Sequence, residues 1–428
     1  MVVWDITYMI MYDRIYTEDW DFRGVDTKKL THCYHSYPAM MIPQIARKLI
    51  KEYAPKNTKL IFDPYMGSGT TLVEASVLGI DSLGTDINPL ARLIAEVKTT
   101  EYKVELIESY FTQLKDRIEL FDSSILKYSY EDFPNITRPH FWYSLEVLNK
   151  LQYLTEEIKK IPTKEKVFFQ LILSEVIRES SYTRNGEFKR YRMEKDKIKT
   201  FSVNPFDLFK SKYGRNLKGL IKYNEIKNKG TVSITDINTV YDISHKLLKD
   251  KSVDLIVTSP PYGDSRTTVA YGQFSRWANE WFLFENAKNL DSHLMGGKVK
   301  KHKESCELEV SSIRSELSQI KSKDEKRYKE VIAFLEDYKK SIENVSSVVR
   351  DGGVVCYVVG NRTVKGIQIP LDYFTVEMFE KNGFNHLKTL VRTIPNKRMP
   401  SKISPTNKKG KNVGTMTNEY IVVLNKTK

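Results

Sequence analysis

Lys59-Leu60-Ile61-Phe62-Asp63-Pro64-Tyr65-Met66-Gly67-Ser68-Gly69-Thr70-Thr71 is the run on which the fold turns. Residues 59–62 read as a buried strand halted at Asp63-Pro64. Two glycines then allow a tight turn, and Thr70 to Leu78 has a helical pattern that Gly79 stops. Ser82-Leu83-Gly84-Thr85 is a second short strand that delivers Asp86 at its end. A strand, a glycine turn, a helix and a strand in this order imply an open parallel α/β sheet.

The pattern continues on both sides. Upstream, Pro43 to Tyr53 carries apolar residues at helical spacing. Downstream, Val232-Ser233-Ile234-Thr235 runs into Asp236, and Asp254-Leu255-Ile256-Val257 runs into Thr258-Ser259-Pro260-Pro261-Tyr262. Val354 to Val359 is a further buried strand. The helix before it, with Val331, Leu335, Ile342 and Val345, is expected to stop at Asp351-Gly352-Gly353, two glycines suiting a left-handed terminus. His386 to Arg392 and Glu419 to Leu424 are expected to pair as an antiparallel hairpin. From 101 to 229 the pattern changes to long helical stretches, which read as an inserted helical subdomain. The chain then divides into 1–100, an N-terminal segment and the first part of the sheet domain; 101–229, the insert; and 230–428, the second part. A Lys- and Ser-rich stretch, 290–325, reads as a mobile loop leading into a helix. Residues 1–30 suggest no role.

Composition narrows the partners. The 428 residues carry 68 Lys+Arg against 54 Asp+Glu, a net charge of +14 that admits a polyanion. Hydrophobic residues at 40% exclude a disordered chain. No apolar run approaches the ~18 residues of a membrane span, and Asp5, Asp13, Glu18 and Asp19 are unlike a signal peptide, so a soluble cytoplasmic protein is expected. Cys33, Cys306 and Cys356 form no CxxC pair, which argues against a disulfide framework or a cysteine-rich zinc site; Cys356 reads as core. Positive charge gathers at Arg184, Lys189, Arg190 and Arg192, interleaved with aromatics, and again across 382–418, where Arg392, Lys397 and Arg398 stand in a stretch without one acidic residue.

In a parallel sheet the ligand lies outside the carboxyl ends of the strands, so the polar residues after each strand are the candidates. Gly67 and Gly69 let backbone N–H groups approach a ligand at a helix N-terminus. No Lys follows Gly69, against a phosphate-cradling P-loop, and Leu72 stands where a dinucleotide fingerprint needs a third small residue. Asp86, 17 residues after Gly69, is placed to accept both hydroxyls of a ribose, although it would equally serve as part of a helix cap before Pro89. A nucleoside-bearing cofactor without pyrophosphate, such as S-adenosyl-L-methionine, fits best.

At the carboxyl end of the later strand, Pro260 and Pro261 fix two φ angles and remove two backbone donors, leaving carbonyls free to accept. Beside Ser259 Oγ, such a corner suits an exocyclic amine, whose nitrogen becomes nucleophilic when its N–H groups are held out of the ring plane. Tyr262 offers a face on which a base would stack. A proline-stopped strand with a packed tyrosine is the plainer alternative.

The Asp63–Thr71 string, Asp86-Ile87-Asn88-Pro89 and Thr258-Ser259-Pro260-Pro261-Tyr262 together resemble the amino-methylating DNA methyltransferases, and the Ser-Pro-Pro-Tyr form is similar to their cytosine-N4 branch. His35-Ser36-Tyr37-Pro38-Ala39 resembles the segment that borders the methionine part of the cofactor, which brings in Tyr37 and Pro38. The resemblance covers about 35–100 and 230–425. It implies a Rossmann-like, S-adenosylmethionine-dependent sheet, mostly parallel with a C-terminal antiparallel hairpin and a helical insertion. It assigns Asp63 to the cofactor's ammonium, Gly67-Ser68-Gly69-Thr70 to close approach, Asp86 and Ile87 to the ribose end, and Asp236-Ile237 to the adenine. Tyr65 replaces the Phe usual in the family and keeps an aromatic plane. Because the cofactor motif precedes the catalytic one, target recognition is implied for the insert, with double-stranded DNA as partner and a restriction endonuclease as possible companion. Adenine-N6 methylation, transfer to RNA and a non-catalytic DNA-binding subunit remain the alternatives.

Overall fold

The structure, a computed structural model, describes residues 12–427 apart from 123, 185, 187, 242, 244–247, 249–250, 265–267, 298–308 and 395–415. The strands in chain order are β1 (Arg14–Tyr16), β2 (Leu60–Asp63), β3 (Asp81–Thr85), β4 (Val232–Thr235), β5 (Val253–Thr258), β6 (Val349–Val359), β7 (Thr363–Val364), β8 (Ile367–Gln368), β9 (Phe384–Thr393) and β10 (Asn418–Lys426). Eight of the described strands share one sheet in the order β1-β9-β10-β6-β5-β2-β3-β4, with β7 and β8 a separate small hairpin. All neighbours in the large sheet are parallel except those of β10, which runs against β6 and β9. The expected sheet class and C-terminal hairpin are both present. Part of the unassigned N-terminal segment also has a place, since β1 lies parallel to β9 at the sheet edge.

Thirteen α-helices are described. Three belong to the first half of the sheet domain: α1 (Pro43–Tyr53), α2 (Thr70–Val77) and α3 (Pro89–Thr99). The insert follows with α4 (Val104–Glu119), α5 (Pro139–Trp142), α6 (Leu145–Lys159), α7 (Thr163–Glu179), α8 (Lys195–Thr200) and α9 (Pro205–Asn224). The second half carries α10 (Tyr271–Trp281), α11 (Arg314–Lys323), α12 (Glu325–Val348) and α13 (Leu371–Glu380). Successive side chains of a strand point to opposite faces, and the packing follows that alternation. Ile61, Leu255, Val257 and Cys356 pack beneath α1, while Phe62, Ile256, Val355 and Tyr357 pack beneath α12 and α13. Covered on both faces, β5 is buried throughout and reads as an unbroken apolar run around Asp254.

Three features depart from the sequence expectations. Helix α12 ends at Val348, and Asp351-Gly352-Gly353 lies inside β6, where Gly352 takes φ +72°. Pairing with β5 jumps at this point, from Val253↔Val349 to Leu255↔Val354, so the glycines form a bulge and not a helix terminus. The described part of 290–325 is packed: Met295, Val310, Ile313, Leu317 and Ile320 join the core beneath α12, because the Lys and Ser residues alternate with apolar ones that the helix α11 gathers on one side. The insert is helical as expected, yet it has no separate core. Its Leu148, Leu151, Phe169 and Ile172 share one apolar cluster with Leu90 and Ile94 of α3 and Trp277 of α10.

Candidate active site

Asp63 closes β2 and Thr258 closes β5, and these parallel neighbours are in register at Ile61↔Leu255 and Phe62↔Ile256. From β2 the chain winds outward through β3 to β4, then returns to β5 on the other side of β2. Loops on the two sides of such a reversal leave in opposite directions and open a crevice beyond the strand ends. Here the crevice encloses about 910 Å³ including its open mouth. Segments almost 200 residues apart meet in it, and Thr258 Oγ1 donates to Asp63 Oδ1 at 2.6 Å.

Tyr37, Pro38, Asp63, Tyr65, Gly67 and Ser68 line the crevice, and Thr70, Asp86, Ile87 and Ile237 continue its wall. Gly67 takes φ +47° and donates its N–H to Asp86 Oδ2 at 3.1 Å. Gly69 lies behind the lining, at φ +75°, where a Cβ would stand 2.8 Å from that of Ala95; its role is to let the turn sit against α3. Asp236 is exposed and off the crevice, because the chain turns after Thr235 so that Ile237, Asn238 and Thr239 face inward instead. Of the two residues expected on the adenine side, Ile237 thus lies on the crevice wall and Asp236 does not. The tyrosine at 65 has its own explanation: its hydroxyl hydrogen-bonds Ser341 of α12, which donates to Thr239 Oγ1 at 2.6 Å.

Burial raises Asp63 from its ordinary value of 3.8 to about 6, against the hydrogen bonds from Thr258 and the Tyr65 N–H, and burial raises Asp86 likewise to about 6. Two under-compensated carboxylates among aromatic and apolar walls fit a cationic ligand with an ammonium and a sulfonium. Cofactor affinity is therefore expected to be level above about pH 7 and to weaken as pH falls through 6, by about tenfold per pH unit for each carboxylate that must be ionised. The free protein should slope the other way. Stability contributed by the protonated carboxyls is complete below 3.8 and lost as pH rises through about 6. Calorimetric titration and thermal melts across this interval measure both slopes, and an affinity that ignores pH would remove these carboxylates from cofactor binding.

Ser259 and Pro261 line the same crevice. Ser259 Oγ donates to the Val358 carbonyl at 3.0 Å and lies 3.1 Å from Tyr262 Oη. Pro260 is buried beneath the turn. Tyr262 departs from expectation, since it does not offer its face to the crevice. Its ring lies against Gly360, where a Cβ would approach Cδ2 to 2.6 Å, and its hydroxyl donates to Glu419 Oε1 at 3.2 Å. Arg392 also departs from expectation. It is 4% exposed, ion-paired with Glu419, and donates to the carbonyls of Trp20 at 2.7 Å and Asp21 at 3.2 Å, so it braces the sheet edge and is closed to a phosphate.

Of the other basic candidates, Arg184 is exposed and ion-pairs with Glu194. Lys189 is half-buried, Arg190 lies over the Trp277 ring, and Arg192 donates to the Phe141 carbonyl at 2.8 Å. The Arg190 N–H donates to Gln273 of α10, whose first residue, Tyr271, lines the crevice and stacks on Tyr37. The basic stretch thus stands beside the crevice. Lys397 and Arg398 fall outside the described residues.

Several contacts of the site gave no signal in the sequence. Asn88 Nδ2 donates to Tyr37 Oη at 2.8 Å and Ser275 Oγ at 2.7 Å, tying α3 to α10 across the crevice wall. Lys98, buried in α3, donates to the Ser68 carbonyl at 2.8 Å and holds the glycine turn from behind. His293, Leu294 and Met295 close the far side. Each of these contacts is made between segments distant in sequence, so no local pattern announces it.

The family model described as DNA methylase matches residues 5–96 and 253–428, on either side of the inserted helices. Type II methyltransferase M.MvaI of Kocuria varians is 40% identical over 422 residues, covering 94% of this chain and 92% of its own length. Type II methyltransferase M.BsoBI of Geobacillus stearothermophilus is 26% identical over 263 residues, covering 54% of this chain and 49% of its own. Among solved structures, the rRNA methyltransferase aviRa from Streptomyces viridochromogenes aligns over 92% of this chain and 88% of its own at 9% identity, with a TM-score of 0.32, a likeness too slight to bear on function. Identity of 40% along nearly the whole length, with the family match on both sides of the insert, places the chain in the amino-methylating DNA methylase family, whose methyl donor is S-adenosylmethionine.

Proposed function

We propose that the chain methylates the exocyclic N4 of a cytosine rotated out of double-stranded DNA at a specific sequence, in the cytoplasm, as the modification partner of a restriction endonuclease or in a related defence system. The observation that carries this reading is Ser259 Oγ on the wall of the cofactor crevice, with its own proton directed at backbone and its lone pairs left to accept from an amine. The type II relatives support action at a defined DNA sequence.

When bound, the cofactor supplies a methyl group made electrophilic by the sulfonium. Asp63 and Asp86 would hold the cofactor's charged and hydroxyl groups, and the stacked Tyr37–Tyr271 pair forms part of the crevice wall. Ser259 accepts an N–H of the cytosine amine and turns the nitrogen lone pair toward the methyl group. Placement of the reactants accounts for most of the acceleration. Among the described residues no cysteine lines the crevice, in keeping with direct transfer to nitrogen. The helical insert, mounted on α3 and α10 through a shared core, is the proposed reader of the target sequence.

Duplex DNA incubated with the protein and radiolabelled cofactor, then digested to nucleosides, should yield N4-methylcytosine; label in N6-methyladenine would replace the cytosine reading. Duplex affinity should also fall steeply with salt. If three of Arg184, Lys189, Arg190 and Arg192 meet phosphates, raising salt fourfold weakens binding roughly 40-fold, and replacing two of them by alanine lowers the log–log slope by about 2. An unchanged slope would take these residues off the DNA surface.

A further inference from the structure

The family reaction leaves a proton to be disposed of. The exocyclic nitrogen gains a methyl group and must shed an N–H proton to become neutral again. Three groups beside it form a continuous chain: Ser259 Oγ on the crevice wall, Tyr262 Oη 3.1 Å from it, and Glu419 Oε1 3.2 Å further on. Topology explains the third member. Because β10 runs antiparallel to the rest of the sheet, its beginning, not its end, arrives at the catalytic edge, and Tyr420 pairs with Val359 just before Gly360.

The chain has a direction. Tyr262 donates to Glu419; the tyrosine oxygen can then accept from Ser259 once the serine hydroxyl turns from the Val358 carbonyl, and the serine oxygen is an acceptor for the amine. Arg392 pairs with Glu419 from the opposing register position of β9 and fixes the carboxylate at the chain's end. Burial pushes the Tyr262 hydroxyl well above its ordinary value of 10, which keeps it a neutral phenol able to pass a proton on. Glu419 is 18% exposed at its side chain, enough to return a proton to water between turnovers.

We propose that Glu419 is the terminal proton acceptor of the methyl transfer, acting through Tyr262 and Ser259. As the nitrogen–methyl bond forms, the carbon–sulfur bond breaks and its electron pair stays on sulfur, leaving the nitrogen positive. The nitrogen's proton passes to Ser259 Oγ, the serine proton to Tyr262 Oη and the tyrosine proton to Glu419 Oε1, while the N–H electron pair stays on nitrogen. A nitrogen that carries a methyl group and two hydrogens while bonded to an aromatic ring is a strong acid, so its proton moves downhill to a carboxylate. Rotation of the two hydroxyls and release of the Glu419 proton to solvent restore the chain. This assignment rests on the reading of Ser259 as the amine's acceptor.

The test compares single-turnover methyl transfer at saturating cofactor in H2O and D2O for the wild type, Tyr262→Phe, Glu419→Gln and the double variant. The wild type should show a solvent isotope effect that both single variants lose, each with a rate lower by about 100-fold. The double variant should be no slower than the worse single one, since one broken link already opens the chain. Cofactor affinity should stay at the wild-type value in all four, because neither residue lines the cofactor wall. A Tyr262→Phe protein as fast as the wild type, an isotope effect that survives in the variants, or losses that multiply would each overturn the proposal. Tyr262→Phe leaves the Glu419–Arg392 pair whole and carries the test if Glu419→Gln lowers the melting temperature. Nucleoside analysis of the wild-type product separates the two readings: methylated adenine refutes the choice of base, whereas the proton path stands or falls on the rates and isotope effects alone.

Discussion

Ser259→Ala is expected to slow single-turnover methyl transfer by about 100-fold or more while leaving cofactor affinity within about twofold of the wild type. The division follows from the contacts. Thr258, not Ser259, makes the hydrogen bond to Asp63, and Ser259 reaches only the Val358 carbonyl and Tyr262. Removing the hydroxyl therefore leaves the cofactor wall intact and takes away the acceptor that orients the amine. Loss confined to the rate of the bound complex is the signature of an interaction made toward the transition state. Equal loss of rate and cofactor affinity would show instead that Ser259 holds the corner in shape, and would count against its place at the amine.

Asp63→Asn is expected to have the reverse profile, with cofactor affinity lower by about 100-fold or more, the size of effect found when one partner of a buried hydrogen-bonded charge pair is neutralised. The amide keeps an oxygen for Thr258 Oγ1 and the Tyr65 N–H, so the local geometry is retained and the change isolates the charge. It also relieves a cost. Holding a carboxylate ionised at neutral pH in a site that raises it from 3.8 to about 6 destabilises the free protein by up to about 3 kcal/mol. The variant should therefore melt higher than the wild type without cofactor and gain less when cofactor is added. A variant that binds normally, or one that melts lower without cofactor, would mean that Asp63 is a structural residue.

Both expectations rest on residues whose type and spacing were readable in the chain. The strand-closing Asp63, the glycines at 67 and 69, and the twin prolines are local signals, because each imposes φ, ψ or hydrogen-bonding limits that no neighbour can undo. The two strands of the C-terminal hairpin were readable as strand-like runs at 386–392 and 419–424. The expectations that shifted were of another kind. Tyr262 was read as a stacking face, yet a glycine 98 residues away leaves a slot that draws the ring inward. Arg392 was read as a phosphate contact from its basic surroundings, but its pairing opposite Glu419 withdraws it into the sheet edge. Asp351-Gly352-Gly353 was read as a helix end, and the register between β5 and β6 made it a bulge.

The amino-acid order alone thus determined the sheet class, the insertion, the polar strand ends and the chemistry those ends favour, since these depend on periodicity and on the backbone limits of single residues. Tertiary structure decided which of those ends face one another. Reversal of strand order between β2 and β5 brought Thr258 against Asp63, and the opposed direction of β10 brought Glu419 to Tyr262. Pairing between strands far apart in the chain is selected by the burial of whole faces at once, a property of the assembled sheet that no single segment carries.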